Sequence, residues 1–271
     1  MIELSHEEIL QLSKKILSSK KYIHLDVPSE TVENLICEEL KNRRNLKEVE
    51  KAVREKMHQI IALYLGDPDY KAASLELANA AAEGPSEIKA FCLKMLSCHT
   101  SSRERIPVME TFYEQIFKRI GKPASILDLA CAMDPFSFPW MGLSPETEYH
   151  PYDIHRPRID LINQYFSAIK MKPLGEVRDI LLNPPEIKAD AAFFFKEAHR
   201  FEARCKGCNR EFWKSLKVEW LVVTLPAENL TGQHQMRERE FGLVEKSTEN
   251  LGWKTEEFEI ADEMIFCIHK S

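Results

Sequence analysis

The sequence lacks any run of about 18 apolar residues, so nothing in it reads as a membrane-spanning helix. Its opening stretch, MIELSHEEIL, is acidic and amphipathic, unlike the basic and apolar segments of a signal peptide. Paired cysteines are missing too: the seven present are odd in number and scattered. That argues against a disulfide framework and for a reducing, cytoplasmic setting. Positive charge is not in excess, because the formal net charge is -6. A general nucleic-acid binder is thereby disfavoured, while a local basic face stays open. Internal repeats and low-complexity segments are absent. A hydrophobic content of 44% and a charged content of 30% are ordinary for a globular protein. The 271 residues allow one good-sized core and an accessory domain.

Around Ala124–Asp153 the chain has a recognisable layout. A short apolar run, Ser125–Leu129, carries Asp128 and ends in Ala130-Cys131-Ala132. A second strand-like run, Tyr149–Ile154, carries Asp153 near its end. Strand, small-residue turn, helix and acid-bearing strand form the nucleotide-binding βαβ pattern, in which the turn lets backbone approach the ligand and the acid accepts from ribose hydroxyls. The turn contains no glycine and the chain no GxGxxG, which disfavours a pyrophosphate. A nucleoside ligand such as S-adenosylmethionine suits it better.

Residues 1–100 read as helical, with stripes at helical spacing over Glu7–Leu17, from Pro28-Ser29 to Leu40, and over Lys47–Leu65, Tyr70–Ala82 and Glu87–Met95. Residues 101–271 alternate. After a helix over Pro107–Ile120 and the first two strands, further strands are predicted at Leu174–Leu182, Ala189–Phe195, Trp220–Leu225, Trp253–Ile260 and Met264–His269. Helices fit at Arg158–Ile169, Glu197–Arg204, Glu211–Leu216 and Arg237–Leu251. The expectation is an α/β fold: a mostly parallel seven-stranded sheet of the class I, Rossmann-like methyltransferase type, its last two strands antiparallel, preceded by an all-helical domain. In that domain Lys41, Arg43, Arg44, Lys47, Lys51, Arg54 and Lys56 face only Glu48, Glu50 and Glu55. Two readings fit this stretch: a solvated face of i,i+4 pairs, or a patch contacting RNA phosphates.

Several strings resemble one family, the aminoglycoside-resistance 16S rRNA methyltransferases that act on guanine N7. Lys56-Met57-His58-Gln59-Ile60 is similar to its K-L-H-Q-I, and His99-Thr100-Ser101-Ser102-Arg103-Glu104-Arg105 to its H-x-S-T-x-E-R. Asp128-Leu129-Ala130-Cys131 with Pro135 and Pro139-Trp140-Met141 resembles its D-[IL]-A-C-G-L-N-P…P-W-M. Tyr152-Asp153-Ile154, Asp179 and Phe193–Lys196 resemble its Y-D-I, its acid after the third strand and its L-L-L-K. The resemblance implies S-adenosylmethionine as cofactor. It assigns Arg105 to the methionine carboxylate with His99, Thr100 and Ser101, Ala130 to backbone contact and Asp153 to the ribose. Asp179 with Ile180 is assigned to adenine and Phe195 to the methyl-donor end. It makes Lys196 the catalytic-site cation. It also implies a monomer, without metal or membrane attachment, that acts on 16S rRNA of the 30S subunit. The helical domain would dock RNA through Lys41, Arg43, Arg44, Lys47, Lys51 and Arg54.

Departures cluster on the target side. The family glycine after Cys131 is Ala132, and basic residues of its S-F-P-[TS]-[RK]-S-L-G-G-[RK] are Glu228 and Gln233. Methylation elsewhere in RNA, or an RNA-binding homologue without turnover, are therefore the alternatives; a small-molecule methyltransferase is a third. Phe136, Phe138 and Trp140 are candidates for holding an unstacked base, or else core residues. Asn183-Pro184-Pro185 reads as a loop, and the lone Cys205-Lys206-Gly207-Cys208 as no metal site, since a zinc knuckle needs two further ligands.

Overall fold

A computed structural model describes residues 3–61, 67–227 and 234–270 of the chain. Three helices come first: α1 (His6–Leu17), α2 (Ser29–Asn42) and α3 (Leu46–Ile61). α1 starts at a capping box in which Ser5 and Glu8 satisfy each other's backbone N–H groups. Its buried Leu12 and Ile16 meet Val32, Leu35 and Ile36 of α2 and Val49, Val53 and Met57 of α3 in a core of their own. The expected extension of α3 to Leu65 lies outside the described residues.

α4 (Tyr70–Glu83) and α5 (Pro85–Cys98) follow, then α6 (Thr100–Arg105) and α7 (Met109–Ile120). Although helical like α1–α3, α4 and α5 pack with the sheet: Leu77, Phe91 and Met95 share a core with Phe112 and Ile116 of α7. The remaining elements are β1 (Ser125–Leu129), α8 (Phe138–Met141), β2 (Glu148–Asp153), α9 (Arg156–Ala168), β3 (Glu176–Val177) and β4 (Lys188–Phe195). After them come α10 (Ala198–Arg204), α11 (Cys208–Ser215), β5 (Lys217–Pro226), α12 (His234–Thr248), β6 (Lys254–Ile260) and β7 (Glu263–His269).

The seven strands order as β3-β2-β1-β4-β5-β7-β6. β1 pairs in parallel with β2 and β4, β4 with β5, and β7 runs antiparallel between β5 and β6. β4 and β5 are near-continuous apolar runs because helices cover both faces of a central parallel sheet. The order reverses between β1 and β4, and in such sheets ligands bind beyond the carboxyl ends of the strands at that reversal.

The third strand is much shorter than the expected Leu174–Leu182. Only Glu176–Val177 pair with β2. Beyond them the Asp179 carbonyl accepts from the Leu182 and Asn183 N–H groups, and its side chain accepts from that of Leu181. The acid turns the chain instead of extending it.

Candidate active site

A cavity of about 710 Å³ opens at the carboxyl ends of β1, β2, β4 and β5, a size typical of small-molecule sites. Leu35, Lys56, Gln59 and Ile60 of α2 and α3 form its far wall, so the helical region contributes directly. His99, Thr100, Ser101, Ala130, Asp153, Asp179, Ile180, Phe195 and Lys196 all line it. Arg105 does not.

The turn after β1 is shaped by strained backbone. Ala130 and Ala132 have φ of 54° and 47°, in the left-handed region where side chains are disfavoured. This conformation lets the Ala132 N–H donate to Asp153 Oδ2 at 3.2 Å. Asp153 Oδ2 also accepts from Arg158 Nη1 at 2.9 Å, and Oδ1 from the His155 N–H at 2.9 Å. A carboxylate has about four accepting positions, so these donors leave Oδ1 able to take one ribose hydroxyl. Arg158 is itself braced by Asp67, at 2.8 and 3.0 Å from Nη2, and Tyr70 donates to the same Asp67. Asp67 reads in sequence only as part of a helix-ending Gly-Asp-Pro, so its role at the site had no local signal.

Asp179 is placed differently. Its Oδ1 accepts from Arg204 Nη1 at 2.9 Å and the Leu181 N–H at 3.2 Å. Its Oδ2 accepts from Arg204 Nη2 at 2.6 Å and the Thr31 hydroxyl at 2.8 Å. Four donors occupy the four accepting positions, so taking an adenine amine would require Asp179 to release one of them. Asp179 ties α2 and α10 to the sheet, and the buried Ile180 beside it lines the cavity.

Arg105, expected at the methionine carboxylate, is likewise held by partners within this chain. Only 4% exposed, it donates from Nε and Nη2 to Glu263 at 2.8 and 2.6 Å and from Nη1 to both Asp134 oxygens at 2.8 Å. Nη2 also donates to the Thr224 hydroxyl at 3.4 Å. Those bonds engage all five guanidinium N–H groups, and the rings of Phe112 and Phe195 lie 4.8 and 4.6 Å from its carbon. No donor is left for a methionine carboxylate, so in this structure Arg105 braces the floor beneath the site. The hydroxyls of Thr100 and Ser101 remain on the wall, beside a His99 that burial pushes down to about 4 and holds neutral.

Lys196 follows directly after β4 at a φ of 55°. Its Nζ lies 2.7 Å from Glu104 and 3.5 Å from Glu263. The next residues on this side, Glu197, His199 and Arg200, also line the cavity. Burial pushes the Glu197 carboxyl up to about 7 against the pull of Arg200. Counting the cavity's side chains, six cations (Lys56, Arg158, Arg178, Lys196, Arg200, Arg204) meet four carboxylates (Glu104, Asp153, Asp179, Glu197). The site is thus net positive in a chain of charge -6.

The aromatic candidates lie elsewhere. Phe136 and Phe138 are buried in the core, and Trp140 packs against that core with Lys89 Nζ 4.8 Å from its ring. None lines the cavity: Phe138 and Trp140 sit on α8, which packs on α7, and the Phe136 ring meets Phe91 of α5. Cys131 is buried and its thiol is pushed well up by burial and by Asp128, which suits a filler and no nucleophile. Asn183-Pro184-Pro185 is a loop. Among the described residues no group of three or more His, Cys, Asp or Glu side chains could hold a metal, and no helix is long and apolar enough to cross a membrane.

The basic stretch spans α2 and α3 and is partly self-paired. Lys41 bonds Glu38, Arg43 bonds Glu39, Lys51 lies 3.9 Å from Glu55, and Arg54 bonds Glu50. For Arg44 and Lys47, both exposed, no ion pair is found among the described residues. Glu228 and Gln233 lie outside those residues.

The geometry agrees with comparisons to known proteins. A family described as "Ribosomal RNA methyltransferase (FmrO)" matches residues 18–268. A 16S rRNA (guanine(1405)-N(7))-methyltransferase of Micromonospora rosea is 28% identical over 272 residues, spanning 97% of each chain. One of Proteus mirabilis is 28% identical over 253 residues, spanning 89% of this chain and 86% of that protein. The crystal structure of 16S rRNA methyltransferase RmtF in complex with S-adenosyl-L-homocysteine superposes with a TM-score of 0.81 at 28% identity, covering 99% of this chain and 100% of that one. That of the 16S rRNA methylase RmtB gives 0.80 at 25% identity, covering 97% and 98%. With a match that runs through both the helical region and the sheet, the chain belongs to the ribosomal RNA methyltransferase family.

Proposed function

We propose that this protein transfers a methyl group from S-adenosylmethionine to the N7 of a guanine in 16S rRNA of the 30S subunit. The observation that carries this reading is a net-positive cavity at the β1/β4 reversal that keeps an accepting position on Asp153. Relatives spanning nearly the whole chain bear the name of that reaction.

The residues fit the cofactor. Asp153 accepts from the ribose, the Ala130 backbone lies against the nucleoside and Ile180 covers the adenine. The hydroxyls of Thr100 and Ser101 donate to the methionine carboxylate, and Phe195 gives an apolar wall at the methyl-donor end. When bound, S-adenosylmethionine supplies an electrophilic methyl on a sulfonium. Guanine N7 has an in-plane lone pair and loses no proton, so these side chains need only align the two atoms and exclude water. Lys196, directly after β4, reaches the target nucleotide and steadies its negative charge.

Residues 1–100 act as the RNA-docking domain and residues 101–271 as the methyltransferase domain. Within the basic stretch Arg44 and Lys47 make the stronger phosphate contacts and Lys41, Arg43, Lys51 and Arg54 the weaker, since the latter four must first leave their carboxylates. The protein works as a cytoplasmic monomer. Calorimetry with S-adenosylhomocysteine tests the cofactor half, with Asp153→Ala expected to abolish binding; unchanged affinity would remove Asp153 from the site.

A further inference from the structure

Of the cavity's four carboxylates, Asp153 serves the cofactor, Asp179 is tied to Thr31 and Arg204, and Glu104 pairs with Lys196, which leaves Glu197 without a role so far. Asp153 and Asp179 stand over the β1–β2–β3 side, where the nucleoside of the cofactor belongs. Glu197 stands on the other side of the reversal, two residues past the end of β4 and next to Lys196. Its surroundings set it apart from Asp179. The Asp179 side chain accepts four hydrogen bonds, whereas among the described residues the Glu197 carboxylate accepts one, from Arg200 Nη1 to Oε2 at 3.2 Å. The Glu197 side chain is 19% exposed and lines the cavity, so its remaining accepting positions are open to donors of a ligand seated there. Burial has also raised this carboxyl to about 7, so it answers readily to an arriving donor.

Guanine is the base whose Watson–Crick edge offers two adjacent donors, N1–H and N2–H, flanked by the O6 acceptor. One carboxylate accepts both donors, and a guanidinium beside it donates to O6. We propose that Glu197, with Arg200, reads the Watson–Crick edge of the flipped target guanine and so fixes which base presents N7 to the cofactor. Held by that edge, the base turns its opposite edge, which carries N7, towards the β1 side. Adenine would set its N1 lone pair against the carboxylate and be rejected. Enzymes that modify an unstacked base commonly read it by this edge.

The inference rests on the guanine-N7 reading, and one set of experiments separates the two. Wild type, Glu197→Gln and Glu197→Asp are assayed for methyl transfer to 30S subunits, with the modified base mapped. The same subunits with that guanine replaced by adenine serve as the competing substrate. S-adenosylhomocysteine affinity is measured by calorimetry for each protein. Glu197→Gln replaces two acceptors with an acceptor and a donor, a pattern that suits adenine. It is expected to lower kcat/KM on the guanine subunits by about 10- to 100-fold and to narrow the guanine-to-adenine ratio. Cofactor affinity should stay within about twofold, and Glu197→Asp, which keeps both acceptors, should recover part of the rate. Transfer by Glu197→Gln at the wild-type rate and ratio would overturn the assignment. So would a parallel loss of cofactor affinity, which would move Glu197 to the cofactor side. A wild-type protein that binds the cofactor yet leaves guanine N7 unmodified would instead fail the functional reading, and this inference with it.

Discussion

The two halves of the cavity are built to opposite rules. Over β1, β2 and β3, each carboxylate is held by several donors: Asp179 by Thr31 and Arg204, and Asp153 by the Ala132 N–H and Arg158, which is in turn braced by the distant Asp67. Over β4 and β5, Glu197 has one donor, His199 Nδ1 has none among the described residues, and Arg200 is only loosely tied. A ligand of fixed shape benefits from rigid, pre-satisfied partners, because little ordering entropy remains to be lost on binding. A nucleotide delivered by a large RNA needs groups still able to change partners. The contrast suggests that cofactor affinity is stored in the fold, whereas target recognition is completed by the substrate.

The most severe way to break that contrast is to remove a brace. Arg105→Ala would leave Asp134 buried without its cation and Glu263 with only the longer contact to Lys196, and unfolding in denaturant should show a loss of about 3–5 kcal/mol. If the variant kept full stability and lost only S-adenosylhomocysteine affinity, Arg105 would be a carboxylate ligand after all. Asp153→Asn is milder, since it removes a charged acceptor but leaves the turn's shape. Cofactor affinity should fall by a factor equivalent to about 1.5–3 kcal/mol, measured by calorimetry at fixed pH.

On the target side, Arg44→Ala with Lys47→Ala should weaken 30S binding and reduce the slope of log affinity against log salt by about 1.5 in total. The pair Lys41→Ala and Lys51→Ala should reduce it by less, and an equal effect would show that internal pairing does not matter. The pH dependence sharpens the comparison further. A folded-state carboxyl raised to about 7 by burial becomes a carboxylate only as pH passes that value, with Arg200 and Arg204 favouring ionisation and Asp153 opposing it. Transfer to 30S should therefore rise with pH between about 6 and 8 while cofactor affinity stays flat. The stability linked to Glu197 has the opposite trend: it is complete at low pH and is lost as pH rises towards 7. The smallest effect belongs to the turn. Ala132→Gly relieves the left-handed strain and should stabilise the protein by about 0.5–1 kcal/mol, after the larger unfolded-state entropy of glycine is counted.

Most of the fold could be read from the sequence because its signals are local. Apolar stripes mark α1 to α5 and α7, and the apolar runs of β4 and β5 announce a central parallel sheet. β3 was overestimated because Asp179, which turns the chain, looks like any polar residue inside a strand. Asp153 was legible from its spacing after the β1 turn. The roles of Arg105 and Asp179 were not. Their partners lie 158 residues away at Glu263 and 148 residues away at Thr31, and no periodicity or motif reports such a pairing. The packing of α4 and α5 against the sheet was hidden for a similar reason, since a helical stripe states that a face is buried but not against what.

The central claim is tested most directly by following tritium from labelled S-adenosylmethionine onto purified 30S subunits and mapping the product by cleavage at 7-methylguanine. The expected result is one methyl per subunit, placed on a single guanine N7 of 16S rRNA. Cofactor binding with no label on the subunit, or label on another atom, would contradict it.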